Sequence, residues 1–131
     1  MSKRNNFTGV NNRVNARGVA FIKSRKSIDN VKTILNDMNN MADANGITLT
    51  RAYHDTSFSL DFDRRELDDF FEMIDSECAQ VVVVRSLNEI TDNVSDLEKF
   101  ILTLAAKGVA VYCIAIGPVP VTISHAEDYG C

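Results

Sequence analysis

Four segments of the sequence follow short apolar runs and hold most of the side chains that could do chemistry. They are residues 23–27, 54–62, 85–93 and 115–124. The two histidines, His54 and His125, lie far apart with no metal-ligand spacing, and the three cysteines fit no zinc pattern. No glycine-rich loop follows an apolar run, which excludes a P-loop and a dinucleotide-binding fingerprint. We therefore expect neither a metal ion nor a cofactor.

The elements that must position these segments follow from the spacing of apolar residues. Four apolar runs predict strands, near residues 18–23, 47–53, 80–85 and 109–115. Val81–Val84 is a continuous β-branched run, typical of a strand covered on both faces. Stretches with helical spacing separate the runs, so we predict an α/β fold, a three-layer αβα domain with a mostly parallel sheet of four to five strands. The fifth strand is expected around residues 119–123. Because the carboxyl ends of parallel strands share one edge, the four segments should meet there.

Polar residues and glycines predict where the helices begin and end. Ser27 is a good N-cap for the first helix, because its hydroxyl can accept a hydrogen bond from a first-turn amide. Asp63, with Glu66 three residues later, predicts a capping box for the second helix. Gly46 and Gly108 should end the first and third helices, since glycine readily adopts the left-handed conformation found at helix ends.

Charge is distributed unevenly along the chain, although the net charge is only −4. Residues 1–27 carry seven basic and no acidic residues, whereas residues 55–77 carry nine acidic residues against Arg64 and Arg65. The basic end could bind DNA weakly and without sequence preference, or it could simply be solvated.

The length of 131 residues corresponds to one domain. We expect a flexible basic arm over residues 1–17, the α/β domain over 18–124 and a short polar tail over 125–131. The longest apolar run is too short to span a membrane and no signal peptide is recognisable, so a cytoplasmic protein without membrane contact is expected.

Four segments, in the same order, resemble the catalytic domain of serine recombinases, the resolvase/invertase family. Residues 27–35 are similar to the start of the family's first helix, and residues 63–67 resemble the Asp-Arg-x-Gly-Leu segment that opens its second helix. Residues 87–92 stand where the family has Leu-Asp-Arg-Leu-x-Arg, and residues 107–111 resemble the Gly-Val-x-Val/Ile strand after the third helix. The resemblance covers residues 18–116 and implies a resolvase-like fold.

The resemblance also implies a particular chemistry. In the family a serine hydroxyl attacks a DNA phosphodiester and forms a phosphoserine link, while arginines stabilise the charge on the phosphate oxygens. Ser24 is then the best-placed nucleophile and Ser27 the second, although its capping role already explains Ser27. Arg64 matches a family arginine, or else is a solvated residue of the first helical turn. Three further basic residues are weaker candidates for phosphate binding: Lys23, Arg25 and Arg85.

The sequence departs from the family pattern at the arginine-rich segment. Glu89 and Asp92 occupy the two arginine positions, and Asn88 replaces the aspartate. Each lost charge-stabilising donor typically raises the activation barrier by roughly 3–4 kcal/mol. Two carboxylates would in addition repel the negatively charged phosphate. After the last strand, Pro118 and Pro120 exclude a regular helix. We therefore expect neither the family's dimer helix nor its DNA-reading domain in the remaining residues.

The leading interpretation is a serine-recombinase-like protein of a mobile element or phage, linked to DNA recombination but catalytically inactive. It would act through protein–protein contacts, as a homodimer or as the partner of an active recombinase. One alternative is an active site-specific recombinase that uses Ser24 with the nearby basic residues. Another is a regulatory module that binds a small anion or nucleotide at the carboxyl ends of the strands.

Overall fold

The computed structural model describes residues 15–120, which form one mixed sheet and three α-helices. In chain order the elements are β1 (Ala16–Lys23), α1 (Ile28–Ala44), β2 (Ile47–Asp55), α2 (Arg65–Ser76), β3 (Val81–Val84), α3 (Val94–Ala106), β4 (Ala110–Cys113) and β5 (Gly117–Val119). A short 3-10 turn, Leu87–Glu89, lies between β3 and α3. The strand order is β2-β1-β3-β4-β5, with the first four strands parallel and β5 antiparallel to β4. The predicted α/β class with a mostly parallel sheet is confirmed.

Helices cover both faces of the sheet because successive residues of a strand point to opposite sides. In β1, Val19 and Phe21 pack with α2 and α3, whereas Ala20 and Ile22 pack with α1. The whole of Val81–Val84 is buried, in agreement with the prediction from the continuous valine run. The described helices thus lie in two layers around the sheet, and they leave the carboxyl ends of β1, β2 and β3 together at one edge.

The first helix begins and ends where the sequence predicts. The Ser27 hydroxyl accepts a hydrogen bond from the backbone N–H of Asn30 at 3.3 Å. Gly46, with φ of 79°, follows the end of α1, and Gly108, with φ of 77°, follows the end of α3. These positions confirm the expected helix ends, because the left-handed conformation suits glycine.

The predicted capping box at the second helix is wrong. Helix α2 begins after Arg64, which is its N-cap residue and whose side chain makes no capping hydrogen bond. Asp63 is exposed and lies one residue before the cap. The Arg64 side chain instead reaches into the protein, where buried acceptors bind it. These long-range contacts override the local capping signal.

The first strand starts two residues earlier than expected, at Ala16. Arg17 is held in the sheet by Gln80: its backbone N–H donates to Gln80 Oε1 at 2.8 Å, and its carbonyl accepts from the Gln80 N–H at 2.8 Å. The last residues assigned to the flexible arm therefore belong to β1. Residues 1–14 lie outside the described part of the chain.

The fifth strand also lies earlier than expected, at Gly117–Val119 rather than near 119–123. Gly117 has φ of 93°, which lets the chain reverse directly after β4. Residues 121–131, including the predicted polar tail and His125, lie outside the described part. Within residues 15–120, no helix is both long and apolar enough to cross a membrane.

Candidate functional site

Three basic residues and two carboxylates meet at the carboxyl edge of the sheet. We call this group the inner network: Lys23, Asp55, Arg64, Arg85 and Glu89. Lys23 and Asp55 end β1 and β2 and are partners in the strand register, while Arg85 follows β3. The structure therefore brings together three of the basic residues that the sequence singled out. It adds two carboxylates whose anchoring role the sequence analysis missed.

Asp55 is the centre of the inner network and is fully buried, with 0% of its surface exposed. Its Oδ2 accepts from Arg64 Nε at 2.9 Å and lies 3.4 Å from Lys23 Nζ. Its Oδ1 accepts from the hydroxyl and the backbone N–H of Ser57, at 2.7 and 2.8 Å. Both carboxylate oxygens are therefore satisfied by the protein, as a buried charge requires.

The pKa of Asp55 reflects this environment. Burial by itself raises the pKa of the carboxyl, because it disfavours the charged form. The two hydrogen bonds from Ser57 and the positive charges of Arg64 and Lys23 outweigh burial, so the pKa lies below its ordinary value. Asp55 is therefore ionised at neutral pH and acts as an anchor for the surrounding cations.

Arg64 is buried in the same network, and its side chain is only 3% exposed. Besides Asp55, it donates through Nη1 to the carbonyls of Asp61 and Ile90, at 2.9 and 2.7 Å, and through Nη2 to the carbonyl of Glu89, at 3.0 Å. The alternative of a solvated first-turn arginine is wrong. The guanidinium ties the start of α2 to the end of β2 and to the 3-10 turn.

Glu89 contacts both the end of β1 and the residue that follows β3. Its Oε1 accepts from the backbone N–H of Lys23 at 2.8 Å, and its Oε2 lies 2.8 Å from Arg85 Nη2. The same nitrogen of Arg85 donates to the Lys23 carbonyl at 3.0 Å. Arg85 Nε is buried without a hydrogen-bond partner among residues 15–120. Glu89 therefore pairs with one of the basic residues considered for phosphate binding.

Ser24 lies directly beside the inner network. Its backbone N–H donates to the Asp55 carbonyl at 3.0 Å, and its hydroxyl oxygen accepts from the backbone N–H of Lys26 at 3.1 Å. Its carbonyl lies 2.7 Å from Nε2 of His54, which therefore donates. His54 is half-buried and belongs to β2, which extends to Asp55 and so beyond the expected end of this strand near residue 53. Ser24 and Arg64 are brought to the same edge, since both bind Asp55.

A second, more exposed group lies next to Ser24. We call Arg25, Lys26 and Phe58 the outer patch. The Arg25 guanidinium donates to the carbonyl of Thr56, and its central carbon lies 3.6 Å from the centre of the Phe58 ring. Phe58 is 81% exposed. The sequence analysis missed Phe58, although an aromatic residue between two serines of this loop was a signal.

A polar cleft of about 420 Å³ lies beside Arg64, between the residues that precede α2 and helix α3. Its lining residues are Asp61, Phe62, Asp63, Arg64, Asp96 and Lys99. Three carboxylates in this set face two basic residues, one of which already serves Asp55. The cleft therefore does not favour an anion. In the part of the chain that the structure describes, no group of three potential ligands could hold a metal ion.

Comparisons with known proteins agree with this architecture. The chain matches the family described as Resolvase, N terminal domain, over residues 18–128, and it belongs to that family. The resemblance found in the sequence is thereby confirmed. A comparison with curated protein sequences finds no match.

Three solved structures share the fold, each with a TM-score of 0.63. The N-terminal catalytic domain of TP901-1 integrase is 16% identical and aligns over 77% of this chain and 78% of its own. The C-terminal catalytic domain of ISC1926 TnpA, an IS607-like serine recombinase, is 19% identical, over 86% and 77%. A resolvase family site-specific recombinase from Streptococcus pneumoniae is 18% identical, over 88% and 83%. At these identities the likeness concerns the fold.

Proposed function

We propose that this chain is a serine-recombinase-like domain linked to DNA recombination that no longer cuts DNA and acts through protein–protein contacts. The observation that carries the proposal is the state of the inner network. Its three cations are bound by Asp55, Glu89 and backbone carbonyls of the same chain. Catalysis of phosphoryl transfer depends on charged donors directed at the phosphate, and here these donors are directed at the protein.

Arg64 illustrates how little of the network is available to a ligand. Four of its N–H groups are used within the protein, and its side chain is 3% exposed. One N–H of Nη2 remains, so a phosphate could engage Arg64 through two donors only by displacing the buried Asp55 or a backbone carbonyl. Leaving a buried carboxylate unpaired costs several kcal/mol, on the order of 3–5. Arg64 therefore acts as a structural residue.

The two acidic residues at the family's arginine positions reinforce this conclusion. Glu89 binds Arg85 and the backbone of Lys23. Asp92 is exposed and lies in the same loop between β3 and α3. Positive charge is thus replaced by negative charge where the family stabilises a phosphate. A domain that keeps its fold but cannot bind a phosphate productively can still act by binding another protein through its surface. Its partner is a second copy of the chain or an active recombinase.

Covalent capture of DNA tests the loss of activity. The full chain and the variants Ser24→Ala and Ser27→Ala are incubated with supercoiled DNA and with a pool of nicked duplexes, then denatured and separated on a gel. An active serine recombinase with its own site serves as the positive control. We expect no protein–DNA adduct and no relaxed plasmid from any of the three proteins. An adduct that forms with the natural chain and disappears with Ser24→Ala would establish the active-recombinase alternative instead.

Sedimentation velocity over a range of protein concentrations tests the contact role. A concentration-dependent dimer supports self-association. If the chain stays monomeric, mixing it with an active recombinase should shift the recombinase boundary. Absence of both effects would contradict the contact role without bearing on the loss of cleavage.

A further inference from the structure

The outer patch differs from the inner network because its cations have no acidic partner in the described part of the chain. Among residues 15–120, neither Arg25 nor Lys26 forms an ion pair with an aspartate or glutamate. Both side chains are exposed. The patch therefore presents net positive charge to solvent in a protein whose overall charge is negative.

Phe58 gives this charge an unusual neighbour. The ring is 81% exposed, although burying such a side chain would typically stabilise a protein by about 1.5–3 kcal/mol. The Arg25 guanidinium lies over the ring, with its central carbon 3.6 Å from the ring centre. A guanidinium over one face of an aromatic ring leaves the other face open to an apolar contact and places a positive charge directly behind it.

The loop that carries Phe58 is held firmly on its amino-terminal side. The Ser57 carbonyl accepts from Lys23 Nζ at 2.7 Å, and the Ser57 hydroxyl and N–H bind Asp55. The Thr56 carbonyl binds Arg25 itself. Asp55 and Lys23 thus position the loop, so the ring and the guanidinium are oriented before any ligand arrives. Such preorganisation lowers the cost of binding.

We propose that the outer patch binds single-stranded nucleic acid, with an unpaired base stacked on the face of the Phe58 ring opposite Arg25 and the adjoining phosphates held by Arg25 and Lys26. Single strands are bound by this combination of aromatic surface and positive charge. A base in a duplex has both faces covered by its neighbours, so an isolated ring can stack only on an unpaired base. The site goes beyond the proposed function and does not depend on it, because it requires neither cleavage nor a protein partner.

Fluorescence anisotropy with a labelled short oligothymidylate tests the proposal on the full chain, at low and moderate salt. We expect the natural chain to bind the single strand more tightly than a duplex of equal length. Phe58→Ala should weaken binding to the single strand roughly 5- to 150-fold, the equivalent of the ~1–3 kcal/mol that one stacked base contributes. Arg25→Lys keeps the charge but loses the planar group, so it should also weaken binding.

Two control variants separate stacking from general effects. Val94→Ala shortens another apolar side chain that is 82% exposed, at the start of α3, and should leave affinity unchanged. Replacing Lys3 and Arg4 by serine removes charge from the basic amino-terminal segment and should weaken single strand and duplex equally. Because Phe58 is exposed, the melting temperature of Phe58→Ala should match that of the natural chain.

Three results would overturn the proposal. One is single-strand affinity that Phe58→Ala leaves within twofold while the Lys3 and Arg4 variant abolishes it. Another is equal affinity of the natural chain for single strand and duplex. The third is competition by free thymidine monophosphate as effective, per nucleotide, as that by the oligomer, which would assign the patch to a small nucleotide. None of these results depends on whether the chain cuts DNA.

Discussion

The inner network and the outer patch lie side by side at the same edge of the sheet but use positive charge in opposite ways. Lys23, Arg64 and Arg85 contact Asp55 and Glu89, and their side chains are mostly buried. Arg25 and Lys26 follow two and three residues after Lys23, are exposed, and have no acidic partner within residues 15–120. The difference shows that basic residues near a strand end do not by themselves make a phosphate site. A phosphate site also requires N–H donors that are not already bound by carboxylates and carbonyls of the protein.

Burial also sets the energetic scale of the two regions. Removing one member of a buried ion pair leaves an uncompensated charge and destabilises a protein strongly. Exposed charges are solvated in both the folded and unfolded states, so removing them changes little. Substitutions in the inner network should therefore change mainly the free energy of unfolding, and substitutions in the outer patch should change mainly the affinity for single-stranded nucleic acid.

The largest loss of stability should follow Asp55→Ala. The change leaves Arg64 and Lys23 buried without their carboxylate and releases Ser57, so we expect a loss of about 3–5 kcal/mol in the free energy of unfolding. Urea unfolding measures it. Asp61→Ala is the matched control, because Asp61 is exposed and only its backbone atoms act in the network. A loss below about 1 kcal/mol for Asp55→Ala would contradict its central role.

Glu89→Ala should have the next largest effect. It removes the acceptor for the Lys23 N–H, and a hydrogen bond to a charged group is worth about 1.5–3 kcal/mol. It also removes the partner of Arg85, but that side chain is 32% exposed and the pair adds little. We expect a loss in that range by urea unfolding. Glu98→Ala, at an exposed position of α3, should be close to neutral. Equal stability of the two variants would show that Glu89 is not an anchor.

Acid should weaken the inner network through Asp55. The folded pKa of Asp55 lies below its ordinary value, so its contribution is complete above the unfolded pKa of about 3.9 and is lost as pH falls through the folded pKa. Stability should therefore decline below about pH 4, by at most ~1.4 kcal/mol per pH unit for one proton. Asp55→Asn keeps only one oxygen acceptor and is less stable at neutral pH, but it cannot titrate, so its stability should decline less steeply over the same range. Identical slopes would mean that other carboxylates dominate.

Arg25→Ala should have the smallest effect on stability, within about 0.5 kcal/mol, because the side chain is exposed. Its contact with Phe58 is worth at most about 0.5–1 kcal/mol at an exposed site. Thermal melting of Arg25→Ala alongside Lys26→Ala measures it. A loss above 2 kcal/mol, roughly the scale of a buried interaction, would place Arg25 with the inner network instead.

The elements of the fold were predictable because their signals are local. The Val81–Val84 run, the Ser27 cap and the glycine after α1 each report the conformation of residues nearby in sequence. The Asp63 capping box was equally local and was wrong, because the Arg64 side chain is drawn to acceptors elsewhere in the fold. Local signals hold unless a buried contact competes with them.

The candidate site was only partly predictable. Sequence resemblance selected Ser24, Arg64 and the nearby basic residues, and the order of strands placed them at one edge of the sheet. It also located two carboxylates at the family's arginine positions. That Glu89 would bind Arg85, that Asp55 would hold Arg64, and that Phe58 would stay exposed beneath Arg25 required the tertiary structure.

The class of fold, the edge at which the polar segments meet and the loss of the arginine pattern could all be inferred before the structure was known. These properties depend on apolar periodicity and on the charge of individual side chains, both of which are present in the chain before it folds. Which cations are paired with a carboxylate depends on the folded arrangement of the chain. The Glu89 carboxylate and the Lys23 N–H lie 66 residues apart in the chain, and no local pattern encodes a contact over that distance. Their pairing results from the way in which the sheet brings strand ends together.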